Sequence, residues 1–189
     1  MSKPDKNAWA SLLFNDLIEG GVTLFTYVPD SGNAKLIELA KLIELANSHN
    51  EAQTVLLTSE EEGVAVCAGA DLVGKRGILC MQSSGVGNCP NFLSLVKGGR
   101  FPVLMMVSMR GDYGEQNPWQ YPMGQAVEPI LQALGVLTFR VETADDLKPA
   151  TDAALAAAFS GGHGAALILS QKFLGAKPFP KAAPAPKTQ

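Results

Sequence analysis

Residues 102–109 read Pro-Val-Leu-Met-Met-Val-Ser-Met, with no polar side chain before the seventh position. A strand with one face in water alternates polar and apolar residues. A strand covered on both faces need not, and such strands belong to parallel sheets buried under two layers of helix. The rest of the chain repeats the theme. Short apolar or β-rich runs at 23–28, 54–57, 77–82, 102–109, 137–141 and 165–170 alternate with helical patterns at 7–19, 34–46, 60–73, a stretch ending near 97, 125–134 and 144–159. Six alternations predict an α/β, doubly wound domain: a parallel sheet of about six strands with helices on both faces. The ligand crevice of such a sheet lies at the carboxyl ends of its strands. Four unusual segments fall on that edge: 29–33, 59–62, 82–88 and the polar-aromatic stretch 110–122.

At 189 residues the chain suits one domain, expected over residues 1–174, followed by an Ala/Pro/Lys-rich extended tail at 175–189. Only 17% of residues are charged against 47% hydrophobic, which suggests a surface covered by a protein partner. The formal net charge is −3 and the basic residues are scattered, which argues against nucleic acid. No apolar run of about 18 residues indicates a membrane span, and the start lacks the apolar core of a signal peptide. A cytoplasmic address is the default expectation. Cys67, Cys80 and Cys89 form no Cys-x-x-Cys pair and read as buried reduced thiols. His49 and His163 sit in turn-like contexts unsuited to a triad or a metal centre, and no metal ligands are expected. Lys35-Leu-Ile-Glu-Leu-Ala40 recurs directly as Lys41-Leu-Ile-Glu-Leu-Ala46. That repeat reads as a duplication that lengthened a surface helix, or as a partner-binding helix.

The chemistry-bearing stretch is Thr58-Ser-Glu-Glu-Glu-Gly-Val-Ala-Val-Cys-Ala-Gly69. Negative charge is favoured at a helix N-terminus, so capping alone can explain one or two of its glutamates. The small residues behind them let other backbone or a flat ligand approach. A carboxylate at the rim of such a helix is a candidate for proton transfer. The loop Ser83-Ser-Gly-Val-Gly-Asn88 has neither the spacing nor the lysine of a P-loop and reads equally as a strand-to-helix turn. Val28-Pro-Asp-Ser-Gly-Asn33 reads as a capped turn. Arg110 could be a surface charge, but a lone arginine leaving an apolar strand end suits an anionic group.

Val28-Pro-Asp-Ser31, Glu60-x-x-Gly-Val-Ala-Val-Cys-Ala-Gly69, Met81-Gln-Ser-Ser-Gly-Val-Gly-Asn88 and Arg110-Gly111 follow one another in an order that resembles the pyrimidine-binding domain of thiamine-diphosphate enzymes. The resemblance spans residues 7–173. It is nearest to the phosphonopyruvate and sulfopyruvate decarboxylases, and among these to the separate alpha subunit of the two-subunit kind. It implies a thiamine-diphosphate-dependent decarboxylation of a small anionic 2-oxo acid to an aldehyde and carbon dioxide. In that family a glutamate hydrogen-bonds the cofactor's aminopyrimidine and drives its proton transfers. Counting back from Gly69 gives Glu60 as the catalytic residue, with Glu61 the alternative if the gap before Gly74-Lys75 is placed differently.

The resemblance further implies cofactor contacts at Pro29, Glu60, Gln82 and Ser83, and substrate contacts at Ser31, Ser84 and Arg110. The family's Gly-Asp-Gly diphosphate motif is absent, since Gly111-Asp112-Tyr113 does not fit it. The resemblance therefore implies that a separate beta subunit holds the diphosphate and Mg2+, in a hetero-oligomer with a shared active site. Two rivals stand beside this expectation: another thiamine-diphosphate activity, such as carboligation, and a non-catalytic regulatory subunit of the same fold.

Overall fold

The computed structural model describes residues 8–28 and 37–176, the side chains of 37–39 excepted. Its elements in chain order are α1 (Ala8–Glu19), β1 (Val22–Tyr27), α2 (Ile37–Ser48), β2 (Gln53–Leu56), α3 (Glu60–Leu72), β3 (Arg76–Gln82), α4 (Ser94–Gly99), β4 (Val103–Ser108), α5 (Tyr121–Ala133), β5 (Leu137–Val141), α6 (Ala144–Leu155), β6 (Gly164–Leu169) and α7 (Gln171–Leu174). The six strands form one sheet in the order β2-β1-β3-β4-β6-β5, and every neighbouring pair is parallel. The expected α/β architecture is the one observed.

The apolar run at 102–109 contains β4, and all six residues of that strand are buried. It lies between β3 and β6, with Leu104 level with Ile78 on one side and Ala165 on the other. Successive side chains go to opposite faces. Ile78, Cys80, Leu104, Met106 and Leu167 join a core with α1, α2 and α6. Leu79, Met81, Met105, Val107 and Ile168 join a second core with α3, α4 and α5. An uninterrupted apolar strand is stable here because each face has its own helical layer. At roughly 1.5–3 kcal/mol for each fully buried large side chain, these two cores are the main driving force for the fold.

Two boundaries depart from the sequence reading. The segment Ser83–Asn88 is a 3-10 helix rather than an open turn, and the helix after it is confined to Ser94–Gly99. The polar-aromatic loop is shorter than expected, because Pro118–Gln120 form a 3-10 turn and α5 starts at Tyr121. Asn117 caps that turn through Oδ1, which accepts the Trp119 N–H at 3.2 Å, and Pro122 sits in the first turn of α5, where its missing N–H has no partner to lose. In the second copy of the six-residue repeat, Leu42, Ile43 and Ala46 are buried in the first core, and Lys41 pairs with Glu44 at 3.6 Å. That copy thus supplies core as well as surface; Lys35 lies outside the described residues.

The chain runs from β1 outward to β2, then returns across β1 to β3. The connection after β1 leads to α2 on one face, and the one after β3 leads to α4 on the other. Such a reversal opens a crevice at the strands' carboxyl ends. The start of α3 and the 83–88 turn both stand at that crevice.

Candidate active site

Of the four edge segments, 29–33 lies outside the described residues, and with it the expected sites Pro29 and Ser31. The other three are described. At the mouth of α3 the three adjacent glutamates take different paths. Glu62 turns back, and its Oε2 accepts the Thr58 N–H at 2.9 Å. Glu61 accepts the Ser59 hydroxyl. That bond, with a bond from its own backbone N–H, holds the Glu61 carboxyl below the usual range. Both serve the helix terminus, as capping and the dipole require. Glu60 instead leaves its helix, and its Oε2 accepts from Asn88 Nδ2 at 2.8 Å.

Gly85 explains how Glu60 can cross. A Cβ built on Gly85 would stand 2.5 Å from both Cγ and Oε1 of Glu60, so only glycine admits the carboxylate there. The space a methyl group would fill is taken by the acid. Oε1 has no hydrogen-bond partner among the described residues. The floor beneath is apolar: Val86 and Cys89 are fully buried, and burial, with the charges of Glu60 and Glu61, pushes the Cys89 thiol up to about 12. Burial likewise raises Cys67 to about 12 and Cys80 further, so all three cysteines are free, buried, protonated thiols.

Gln82 and Ser84 flank the same turn, and the Ser84 hydroxyl donates to Gln82 Oε1 at 3.1 Å. Ser84 is exposed. The Ser83 side chain is bound elsewhere. It is fully buried, its Oγ accepts the Arg110 N–H at 3.1 Å, and it donates to the Arg110 carbonyl at 3.2 Å. Its hydroxyl ties the end of β3 to the end of β4 and does not face the crevice, which leaves only its backbone to meet a ligand. Arg110 is reached from that same turn, so Glu60 and Arg110 border one six-residue segment.

The Arg110 guanidinium makes a two-pronged pair with Glu115, Nε to Oε2 at 2.6 Å and Nη2 to Oε1 at 2.8 Å. Glu115 also accepts from the backbone of Gln116 (3.1 Å) and Asn117 (2.9 Å) and from Gln171 Nε2 (2.8 Å). Five donors on one buried carboxylate, the Arg110 bonds foremost, hold its pKa down to about 2 against an ordinary 4.5. Sequence reasoning missed Asn88 as the partner of Glu60, and it missed Glu115 and Gln171. Asn88 was legible as the last residue of the Gly-rich motif. Nothing in the spacing of Glu115 and Gln171, 56 residues apart, could have joined them.

Next to this site Trp119 is 86% exposed, with Tyr113 and Tyr121 partly exposed around it. The Tyr121 hydroxyl donates to the Glu115 carbonyl at 2.5 Å, so the loop is braced while its tryptophan faces outward. Among the described residues no group of three or more His, Cys, Asp or Glu side chains could hold a metal ion, and no helix is long and apolar enough to cross a membrane.

No protein-family model matches the chain. The sulfopyruvate decarboxylase subunit alpha of Methanococcus maripaludis is 35% identical over 135 residues, covering 71% of this chain and 77% of that one. Its counterpart in Methanocaldococcus jannaschii is 36% identical over 135 residues, covering 71% and 76%. Among solved structures, the 2-oxoglutarate:ferredoxin oxidoreductase of Magnetococcus marinus superposes on 88% of this chain with a TM-score of 0.67 at 18% identity. The chain spans 29% of that much longer polypeptide, and the likeness speaks for the fold alone. Identity above one third over most of both partners establishes kinship with the first two: the chain belongs to the family of sulfopyruvate decarboxylase alpha subunits.

Proposed function

We propose that this chain is the alpha subunit of a thiamine-diphosphate-dependent 2-oxoacid decarboxylase, a carboxy-lyase, and that Glu60 is its acid–base residue. The reaction converts a 2-oxo acid and a proton to an aldehyde and carbon dioxide. The observation that carries the reading is the divergence of three adjacent glutamates. Two cap their own helix, and Glu60 alone reaches the crevice, its Oε2 fixed by Asn88 and its Oε1 turned over Gly85. That favours Glu60 over Glu61, whose carboxylate is held by Ser59.

The residues present fit the pyrimidine end of the cofactor. A carboxylate beside a glycine that allows close approach, over an apolar floor, suits a flat ring with one polar edge. Thiamine diphosphate, when bound, supplies the carbon nucleophile and the electron sink for loss of carbon dioxide. This chain's part is to hold and move a proton at Glu60 Oε1, to keep that carboxylate oriented through Asn88, and to present Gln82 and the backbone of Ser83 along the ring. Pro29 and Ser31 complete the proposed contacts. The diphosphate and Mg2+ belong to a separate beta subunit that closes the site, in a hetero-oligomer. Ser84 and Arg110 meet the substrate, with Arg110 placed for a second anionic group such as a sulfonate or phosphonate.

Glu60→Gln in the assembled enzyme is the test. It keeps the shape and the bond to Asn88 within reach and removes the proton transfer, which contributes roughly 10²–10⁴-fold. The variant should assemble and fold as the wild type does and lose most of its kcat. Near-normal turnover would sink the assignment.

A further inference from the structure

Arg110 stands at the end of a scaffold that runs through the protein to the far side of the site loop. Gln171 opens α7, just beyond β6, and only 1% of its surface is exposed. Every polar group it has toward the loop is engaged. Its Oε1 accepts two successive backbone N–H groups, those of Asp112 (3.1 Å) and Tyr113 (3.2 Å). Its own backbone N–H donates to Asp112 Oδ1 at 3.2 Å, and its Nε2 donates to Glu115 Oε2 at 2.8 Å. Asp112 is held from its other oxygen by Arg140 of β5 at 2.5 Å. Glu115 then grips Arg110 by two nitrogens.

We propose that Gln171 is a positioning residue for substrate selection: through Glu115 it fixes the direction of the Arg110 guanidinium, and thereby the preference for 2-oxo acids bearing a second anionic group. The inference rests on the function proposed above and deepens it. A guanidinium on a flexible stem loses rotamer freedom whenever it binds an anion. One already clamped by a carboxylate has lost it beforehand, so it meets the anion in a set direction. The clamp is only as fixed as Glu115. The backbone bonds from Gln116 and Asn117 belong to the same loop as Glu115 and move with it. Gln171, which opens α7 just beyond β6, holds the carboxylate from outside that loop.

The experiment uses the assembled two-subunit enzyme and compares 3-sulfopyruvate with 2-oxobutanoate, which lacks the second anion. The readout is the ratio of kcat/KM for the two acids. Gln171→Leu removes all side-chain links. Gln171→Glu keeps the size and the acceptor for Asp112 and Tyr113 but cannot donate to Glu115, so it reports on the clamp if the leucine variant fails to fold. Both should lower the ratio by about tenfold or more, chiefly through a higher KM for 3-sulfopyruvate. In an Arg110→Ala background Gln171→Glu should lower it no further, because the effect passes through Arg110. Equal losses on both acids, or a further loss in the Arg110→Ala background, would overturn the proposal and leave Gln171 a loop stabiliser. A wild-type enzyme that decarboxylates neither acid would overturn the function reading and this proposal with it. A wild type that prefers 3-sulfopyruvate with variants that keep its ratio would overturn this proposal alone.

Discussion

Glu115 and Glu60 show how differently one kind of side chain is held in two surroundings. Glu60 has one oxygen bound and one without a protein partner among the described residues, as the role proposed for it requires. Glu115 has both oxygens saturated and its side chain fully buried, so it serves as a fixed charge. Its pKa is depressed from 4.5 to about 2, so it contributes stability that is complete above about pH 4.5 and lost as pH falls through about 2. The full contribution is on the order of 3 kcal/mol, and more than half of it is gone by about pH 3. Glu115→Gln should therefore be markedly less stable than wild type in urea near pH 7, and the gap should narrow towards pH 3. A gap that does not change between those pH values would show that the carboxylate's charge does not matter. Little of this was legible beforehand. The run of three glutamates was plain in the sequence, but which one leaves the helix depends on Gly85, 25 positions away, and on the amide of Asn88.

Between elements, the decisive contacts are those where glycine lets one element touch another. The turn Ser83–Asn88 meets α3 at Gly85, and α5 meets the end of β4 at Gly124, where an added Cβ would lie 2.2 Å from the Arg110 carbonyl oxygen. The two sites predict different outcomes. At Gly85 the obstacle is the movable end of Glu60, so Gly85→Ala should leave the melting temperature within a few degrees and yet reduce turnover nearly as far as Glu60→Gln does. Full activity in a folded Gly85→Ala enzyme would mean that the carboxylate need not sit where it is seen. At Gly124 the obstacle is backbone, and backbone cannot turn aside. The order of helices and strands was legible because β4 and β6 are apolar without alternation and Gly or Pro marks the breaks. The internal form of 110–122 was not: Asn117, Pro118 and Pro122 together initiate α5 earlier than its apolar periodicity suggests, since Tyr121 and Pro122 face outward.

Over the described residues the molecule is a buried sheet with the candidate site on one edge and a braced aromatic loop beside it. The sequence announced the sheet because both of its faces are covered within this one chain. It could not announce what covers the edge, which belongs to a second chain in the proposal. The chain's two tryptophans offer a way to see that chain arrive. Trp9 is buried on α1 and packs edge-on to Phe173 with ring centroids 5.9 Å apart, whereas Trp119 is 86% exposed. Adding the beta subunit should shift the emission to the blue, and Trp119→Phe should abolish that shift. An unchanged spectrum on assembly would place the interface elsewhere. The central claim, that these residues form half of a decarboxylase site, is tested most directly by aldehyde formation from 3-sulfopyruvate with the alpha chain alone, the beta chain alone, and the two together in the presence of thiamine diphosphate and Mg2+. The account predicts aldehyde only from the mixture, and its loss when the alpha chain carries Glu60→Gln; aldehyde from the alpha chain by itself, or none from the mixture with any small 2-oxo acid, would contradict it.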